Sequence, residues 1–337
     1  MPNLRLQDIA AEAGVSKAAV SMALRNHPGV SRQLCRRIQQ LAQELGYQPN
    51  PLVNIHMAHV RTGHTAAPGQ RIAYLESLGQ QLGKSSHDSI NQTRLFKGAK
   101  NRAQTLGYAI ELFSLSPGTA DLDHISRVIR ARGIDGVVIG PVPSAWPELA
   151  LRWEWFAVAT MGYSLERPRI HRACTNQFEL VRLALSTTVK RGCQRIGMIV
   201  NRDLNKRVGD RLLGSYLSYD PGEMPIRLIP PLLWDPSMTQ TALSAWLKQY
   251  NPDGLLVSGE ALANMLIKAK HPPRPFILNF LSHAISKDAD LPLRPTEAVG
   301  AACVELVVEQ LRNNQRGIPN PRKTVLLEAT LNAMIPS

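Results

Sequence analysis

The part of this 337-residue chain that comes closest to a catalytic motif is the run from Gly79 to Ser85, Gly-Gln-Gln-Leu-Gly-Lys-Ser. In a nucleotide-binding loop of this type, backbone N–H groups wrap the phosphates and the lysine reaches the β- and γ-phosphates. That loop needs four residues between its two glycines, and this chain has three. The spacing therefore argues against an NTPase.

Other residues suited to catalysis or metal binding also lack the required spacing. The sequence contains neither a Gly-x-Ser-x-Gly turn nor a His-Glu-x-x-His pair. His56 and His59 are one helical turn apart and form a potential metal half-site, but no third ligand lies nearby in sequence. The widely separated cysteines Cys35, Cys174, Cys193 and Cys303 are typical of reduced, buried thiols. We therefore predict no enzyme activity, no cofactor and no metal.

The elements that would position functional side chains begin with residues 4–26. From Leu6, apolar residues recur at i, i+3, i+4 and i+7, which predicts one face of a short helix. Gly14 ends that helix, and Ser16 is a favourable N-cap for a second one. Two short helices joined by a glycine-containing turn form a helix-turn-helix, whose second helix fits the major groove of DNA. The alternative is an ordinary helical hairpin that does not bind DNA, because its apolar residues have the same periodicity.

Charge favours a polyanionic partner. The formal net charge is +13, and residues 1–62 carry seven Lys/Arg against three Asp/Glu. An excess of positive charge suits binding to nucleic acid, and it would equally suit binding to an anionic membrane surface. Because residues 1–20 are amphipathic and no apolar run reaches about 18 residues, we expect neither a signal peptide nor a membrane span. We therefore expect a cytoplasmic protein.

Beyond Gln70 the pattern changes to strands that alternate with helices. Apolar strand-like runs begin at Arg71, Ala109 and Val137, with helix-like segments between them, and the alternation continues to about residue 328. Such alternation predicts doubly wound parallel sheets. Ligands of open α/β sheets bind beyond the carboxyl ends of the strands, so the loops there are candidate binding positions.

Short sequence motifs in the amino-terminal segment resemble those of a known protein family. The motifs are Leu6-Gln-Asp-Ile-Ala10, Ala13-Gly-Val-Ser16, Val20-Ser21, Val30-Ser31 and Leu45-Gly-Tyr-Gln-Pro-Asn50. In this order and spacing they resemble the headpiece of the lactose-repressor (LacI/GalR) family. A third helix is expected over residues 32–45, capped by Ser31 and ended by Gly46, with Leu45 turned inward.

The resemblance implies an all-α helix-turn-helix headpiece followed by a two-lobed α/β core that resembles periplasmic binding proteins. We place the headpiece at residues 1–49, the hinge helix and linker at 50–70, and the effector-binding and dimerisation core at 71–337. The core is expected to divide into an N-lobe, residues 71–162 and 293–319, and a C-lobe, residues 163–292 and 320–337.

The resemblance also implies a set of DNA-contacting residues: Leu6, Ser16, Lys17, Ala18, Ser21, Met22, Ser31, Tyr47, Asn50, His56 and Met57. Lys17, Ala18 and Met22 occupy the positions that face base edges, whereas the serines, Tyr47 and Asn50 suit phosphate or sugar contacts. Met22 stands where the family frequently has Arg, so we expect a half-site that differs at that base pair.

The hinge departs from the family's pattern. The family usually has a Leu that enters the minor groove, and ungapped alignment places His56 there, with Met57 adjacent. The identity of the wedging residue is therefore left open.

Candidate effector-binding residues lie at strand ends of the core: Glu76, Ser77, Asn205, Arg207, Arg211, Ser258, Glu260 and Leu281. Arg211 begins the family's Arg-x-x-Gly pattern and is suited to a carboxylate or vicinal hydroxyls, although a solvated helix arginine would look the same. Leu281 replaces an Asp, and Gly259-Glu260 replaces Asn-Asp, so the effector is expected to differ from the usual ones or to be absent.

These features together predict a homodimeric repressor that binds a near-palindromic double-stranded operator and responds to a small molecule between its lobes. The alternative is a small-molecule-binding protein of the same fold that no longer controls an operator.

Overall fold

The computed structural model describes residues 6–24, 29–45, 70–77, 86–115, 122–143, 146, 148–222, 224–235, 237–268, 275–281 and 292–331. Its amino-terminal part is three helices: α1 (Leu6–Ala13), α2 (Lys17–Ala23) and α3 (Arg32–Glu44). Within the described ranges, no helix is both long enough and apolar enough to cross a bilayer.

The first lobe is built on a six-stranded parallel sheet with the order β12-β5-β4-β3-β1-β2. The strands are β1 (Arg71–Ser77), β2 (Ala109–Leu115), β3 (Gly136–Ile139), β4 (Ala157–Met161), β5 (His171–Thr175) and β12 (Thr324–Leu327). Along β1, Ile72 and Tyr74 pack into one apolar core, and Ala73 and Leu75 pack into another. Burial on both faces is expected of a parallel sheet covered by helices.

Three helices cover this sheet. Helices α4 (Ser86–Thr105) and α11 (Thr296–Arg312) pack on one face, and α5 (Leu122–Ala131) packs on the other. Helix α11 is also tied to β4 by a buried amide: Gln310 Nε2 donates to the carbonyl oxygen of Val158 at 3.0 Å, and Gln310 Oε1 accepts from the N–H of Val158 at 3.2 Å. This pairing satisfies a side chain that would otherwise be costly to bury.

The second lobe has a parallel sheet with the order β10-β9-β6-β7, in which β8 also pairs with β6. Its strands are β6 (Arg195–Asn201), β7 (Arg227–Leu228), β8 (Leu232–Trp234), β9 (Gly254–Val257) and β10 (Phe276–Asn279). Its helices are α6 (Gln177–Lys190), α7 (Arg202–Arg207), α8 (Arg211–Leu217), α9 (Gln240–Tyr250) and α10 (Glu260–Lys268). A short antiparallel ribbon, β11 (Pro292–Leu293) with β13 (Thr330–Leu331), lies near the later crossings between lobes.

Two of the expected lobe boundaries are wrong. The chain was expected to leave the N-lobe near residues 163 and 320, but β5 pairs with both β4 and β12 inside the first sheet. The first crossing therefore follows Thr175, and the last follows Leu327. Strand β5 reads His-Arg-Ala-Cys-Thr, which has no apolar run, so only its backbone pairing reveals that it belongs to the sheet.

Local details also differ from the sequence-based expectations. The apolar alternation of residues 155–160 is typical of one strand, but Trp153–Trp155 is a single 3₁₀ turn and β4 begins at Ala157. Leu45 was expected to face inward, but it caps α3 and is 38% exposed, whereas Ala42 is buried. The glycine-rich run at residues 79–85 lies outside the described residues.

Candidate functional site

The headpiece folds around a compact apolar core shared by all three helices. Ile9, Val20 and Ile38, one from each helix, are fully buried there. The turn between α1 and α2 depends on Gly14, whose φ of +66° lies in the left-handed region that favours glycine. Residues 6–24 therefore form the helix-turn-helix that the periodicity predicts.

The solvent face of α2 carries the side chains predicted to read bases. Lys17 and Ala18 are exposed, whereas Ser21 and Met22 are half-buried. Ser16 caps the helix: its Oγ accepts a hydrogen bond from the N–H of Ala19 at 3.1 Å. Lys17 and Ala18 are thus presented on the first turn of α2, which is the end of a recognition helix that contacts base edges in helix-turn-helix proteins.

The remaining predicted headpiece residues fall into three groups. Ser31 is exposed and caps α3 by accepting from the N–H of Leu34 at 3.3 Å. Leu6 packs against the headpiece core and is only partly accessible. Tyr47, Asn50, His56 and Met57 lie outside the described residues, so their roles stay predictions.

The headpiece also carries exposed cations. Arg32, Arg36 and Arg37 of α3 are exposed, as is Lys17. Such a distribution suits contacts to phosphates, which position a protein on a duplex without reading its sequence.

A cavity of about 140 Å³ lies between the lobes. The first lobe contributes most of its lining: Asn91, Leu95, Pro141, Met161, Gly162, Tyr163, Ser164, Cys174, Thr175, Arg294, Thr296 and Val299. The second lobe contributes Gln177, Leu204, Arg207 and Val208. The lining gathers the carboxyl ends of β3, β4 and β5, which is where ligands of open α/β sheets bind.

Tyr163 of the lining lies against two arginine side chains. The guanidinium of Arg211 lies 4.7 Å from the centroid of its ring, and that of Arg172 lies 5.3 Å from it. Burial raises the pKa of Tyr163 to about 12, although the two guanidiniums act in the opposite direction. The hydroxyl therefore keeps its proton at neutral pH and remains a hydrogen-bond donor.

Two buried amide oxygens in this lining, Asn91 Oδ1 and Gln177 Oε1, have no hydrogen-bond partner among the described residues, and Gln177 is only 7% exposed. The buried hydroxyl of Tyr163 has only the thiol of Cys174 beside it, which is a weak hydrogen-bonding group. Most buried polar groups in native proteins are paired, and an unpaired one costs about 1–3 kcal/mol. Polar atoms of this kind around one cavity are suited to hydrogen bonds with a polar molecule.

Some of the predicted effector residues lie at this cavity. Arg207 lines it directly. Arg211 stacks on Tyr163, and its Nη1 donates to the carbonyl oxygen of Val208 at 2.5 Å. Ser77 is not part of the lining, but its hydroxyl donates at 2.8 Å to the carbonyl oxygen of Pro141, which is.

The other predicted effector residues whose side chains the structure describes do not line it. Asn205 is 2% exposed and holds the start of α8 by accepting from the N–H of Leu213 at 3.1 Å. Ser258 is buried, and its Oγ accepts from the N–H of Asn201 at 2.7 Å. Glu76 is half-buried at the end of β1, Glu260 begins α10, and Leu281 packs against the second lobe's core.

Sequence reasoning missed Asn91, Tyr163 and Gln177. Tyr163 follows β4, so the strand-end rule that selected Ser77 would also have selected it. Gln177 follows β5, which the sequence pattern did not reveal. Asn91 lies on α4, whose early turns have no apolar periodicity, and only the packing of α4 against α11 places it at the cavity.

The family comparison settles the nature of the headpiece. A model of the family described as "Bacterial regulatory proteins, lacI family" matches residues 5–50, which include all three headpiece helices. Residues 5–50 are thus similar to the amino-terminal domain of this family. The predicted resemblance is therefore confirmed.

Similarity to named regulators extends beyond the headpiece at low identity. The chain is 25% identical over 214 residues to the HTH-type transcriptional regulator MalR of Streptococcus pneumoniae, covering 62% of this chain and 60% of that protein. It is 23% identical over 192 residues to the NTD biosynthesis operon regulator NtdR of Bacillus subtilis, covering 57% of this chain and 54% of that protein. The match thus spans only about three fifths of the relatives' length.

Solved structures support the fold. A lacI-family regulatory protein from Chloroflexus aggregans superposes with a TM-score of 0.54 at 17% identity, covering 77% of this chain and 96% of that one. A lac repressor dimer bound to operator and an anti-inducer gives a TM-score of 0.50 at 16% identity, covering 98% of both chains. The predicted fold, a helix-turn-helix headpiece with a two-lobed α/β core, is confirmed.

Proposed function

We propose that this protein is a sequence-specific DNA-binding transcriptional regulator, a repressor, whose operator affinity is set by a small molecule bound between the lobes. The observation that carries the proposal is the lacI-family headpiece at residues 5–50, with Lys17 and Ala18 exposed on the first turn of α2. The regulators MalR and NtdR, to which the chain is similar, support the same assignment.

Base reading follows from the exposed face of α2. The Lys17 ammonium can donate to O6 and N7 of guanine, and the Ala18 methyl can contact the methyl group of thymine. Met22 is half-buried, so it offers an apolar surface to a neighbouring base pair. One headpiece reads only a few base pairs, so the protein should act as a dimer on a near-palindromic site.

Effector control follows from the position of the cavity. Because its lining comes from both lobes, a ligand there favours whichever lobe arrangement fits it better. The effect on operator affinity is limited by the ligand's difference in affinity between the two arrangements, typically about 1–3 kcal/mol. The lobe arrangement would reach the DNA through the hinge segment at residues 50–70.

Selection from random duplexes tests the proposal. We expect purified full-length protein to enrich a near-palindromic site, and the logarithm of its affinity to fall steeply with the logarithm of salt concentration. Recovery of the family's common half-site unchanged would contradict the expected role of Met22. A protein that prefers no duplex over scrambled competitor, at moderate ionic strength and with or without metabolites, would overturn the proposed function.

Ser16 allows helix capping to be separated from DNA contact. Ser16→Ala removes the acceptor for the N–H of Ala19 and should destabilise the headpiece by about 1 kcal/mol. Ser16→Asp preserves the cap but places a negative charge beside the phosphates, so the headpiece should keep its stability while operator affinity falls about tenfold or more. Thermal melts and gel shifts of both variants check this, and unchanged operator affinity in Ser16→Asp would argue that Ser16 acts only through folding.

The second candidate function is small-molecule binding without operator control. It is favoured by the cavity, whose buried polar oxygens are suited to a polar ligand whatever the headpiece does. A protein that binds a metabolite but selects no duplex would support it.

A further inference from the structure

We propose that the edge of the first lobe at which its strands begin is a second DNA-binding surface, which contacts phosphates of the duplex and reads no bases. The inference extends the proposed function and rests on it for the identity of the partner. Five arginines form this strand-start surface: Arg71, Arg130, Arg132, Arg312 and Arg316. Three observations carry the inference: the clustering of these side chains, their charge balance and the place where the chain arrives from the headpiece.

The five arginines lie around the starts of three neighbouring strands. Arg71 is the first residue of β1. Arg130 lies in the last turn of α5 and Arg132 directly after that helix, just before β3. Arg312 ends α11, and Arg316 follows in the next loop. Because β1 pairs with both β2 and β3, these positions meet at one edge of the sheet.

Glu111 of β2 is shared by two of the arginines. Nη1 of Arg71 lies 2.9 Å from Oε2 of Glu111, and Nη1 of Arg132 contacts Oε1. One carboxylate cannot neutralise two guanidiniums, so the three side chains together keep one positive charge. Both arginine side chains are about half exposed, and a guanidinium has five N–H donors, so donors remain available to a phosphate.

Asp135, which directly precedes β3, is shared in the same way. Nη1 of Arg130 lies 2.7 Å from Oδ1 of Asp135, and Nη2 of Arg316 lies 3.2 Å from Oδ2. Arg312 lies beside this group, since it and Arg316 both act on Tyr108 just before β2: burial raises the pKa of this tyrosine, and the two guanidiniums oppose that shift. The second group of three therefore also keeps one positive charge, with a further guanidinium near it.

Arg312 is exposed and has no carboxylate within 4.0 Å in the part of the chain that the structure describes. Glu309, one turn earlier in α11, is paired with Lys323 instead. Glu154 is an exposed acid close before β4 and is counted against the arginines. Five guanidiniums then meet three carboxylates, so the strand-start surface keeps an excess of positive charge.

Helix ends account for only part of this charge. Arg130 and Arg312 lie in the last turns of α5 and α11, where a cation offsets the partial negative charge of the helix end. Arg71, Arg132 and Arg316 lie outside the helices, so the helix dipole does not explain them. An anionic partner accounts for all five, because guanidinium groups bind phosphates through paired, charge-assisted hydrogen bonds.

The path of the chain favours duplex DNA as this partner. The segment that follows the headpiece enters the first lobe at Arg71, so a duplex held by the headpiece is tethered to the strand-start surface. Tethering makes the second contact intramolecular, so even weak phosphate contacts add to affinity. Residues 45–75, which join the two parts, contain no aspartate or glutamate. That stretch therefore cannot neutralise the surface in place of DNA.

A triple variant of the full-length protein, Arg130→Gln with Arg132→Gln and Arg312→Gln, tests the inference. Arg71 and Arg316 remain to pair the two shared carboxylates, so the lobe should keep its stability, which thermal melts check. We expect operator affinity at low salt to fall about tenfold or more. The slope of log affinity against log salt concentration should become less steep by about 1 or more, because each phosphate contact contributes about 0.9.

The matched control removes the same number of charges at the corresponding edge of the second lobe. Lys190 ends α6, Arg227 begins β7 and Lys248 lies in the last turn of α9, and all three are exposed. Replacing these three residues by Gln should leave the salt slope of the parent unchanged. The inference is wrong if the two triple variants lose equal affinity, or if the first keeps both the affinity and the salt slope of the parent.

Selection from random duplexes with the same preparations separates this inference from the proposed function. If the parent selects an operator and the first triple variant binds it equally well, only the strand-start surface fails. If the parent selects no operator but holds random duplexes through these arginines, the surface stands and the transcriptional role fails. A protein that binds no duplex overturns both. Vesicles that contain phosphatidylserine test the other polyanion: a loss of vesicle binding in the variant, with duplex binding unchanged, would overturn the assignment to DNA.

Discussion

Gly300→Ala should destabilise the first lobe by about 2–3 kcal/mol, because overpacking a tight core usually costs about 1–3 kcal/mol and here the obstruction is backbone. A Cβ added at Gly300 would lie 2.1 Å from the carbonyl oxygen of Leu95 and 2.9 Å from the amide nitrogen of Ala99. Backbone atoms cannot rotate away as a flexible side chain does. Helices α4 and α11 would have to separate, which would loosen the core that they share with β4.

Gly214→Ala is the control, with an effect of the opposite sign. Gly214 lies within α8, is exposed, and a Cβ there would meet nothing within 4 Å. Replacing it should stabilise the second lobe by up to about 1 kcal/mol through helix propensity alone. Thermal and urea unfolding of the two variants against the parent measures both effects. Equal stabilities would show that the α4–α11 contact relaxes more easily than its geometry indicates.

Ala18→Glu should reduce operator affinity by about a hundredfold or more. The proposed function places this exposed residue of α2 against base edges, between two rows of phosphates. A carboxylate there would be desolvated beside like charges, and such juxtaposition costs several kcal/mol. Gel shifts on the selected operator measure the loss, and circular dichroism checks that the headpiece still folds.

Ala11→Glu adds the same charge at an exposed position of α1. It accounts for the general loss of electrostatic attraction, which acts equally on all duplexes. We expect Ala11→Glu to reduce operator affinity much less than Ala18→Glu does. The difference between the two losses measures the effect of placing the charge in the groove. Similar losses in the two variants would place the DNA-reading surface elsewhere.

Local pattern was sufficient to predict the headpiece. Its apolar spacing, Gly14 and the two capping serines act within three or four residues of one another, so they determine α1, α2 and α3 with little help from the rest of the chain. Regular alternation of apolar segments likewise predicts two parallel sheets. The hinge and wedge assignments at His56 and Met57 remain predictions.

Tertiary structure decided the lobe boundaries and the cavity. Strand β5 has no apolar run of its own, and its place in the first sheet comes from backbone pairing with β4 and with β12, more than 140 residues later in the chain. That pairing moves the first crossing past Thr175 and brings Tyr163 and Gln177 to the same cavity. Asn205 shows the reverse case: it lies on α7, shortly after the end of β6, but its side chain supports α8 instead of facing the cavity.

The helix-turn-helix and the alternation of strands and helices could be predicted from the sequence, because each depends on neighbours a few residues apart. Which strand ends face each other across the lobes depends on contacts between distant parts of the chain. Those contacts bring Asn91, Tyr163 and Gln177 together at one cavity. Burial and strand pairing between residues far apart in sequence depend on how the whole chain packs. They cannot be predicted from the spacing of neighbouring residues.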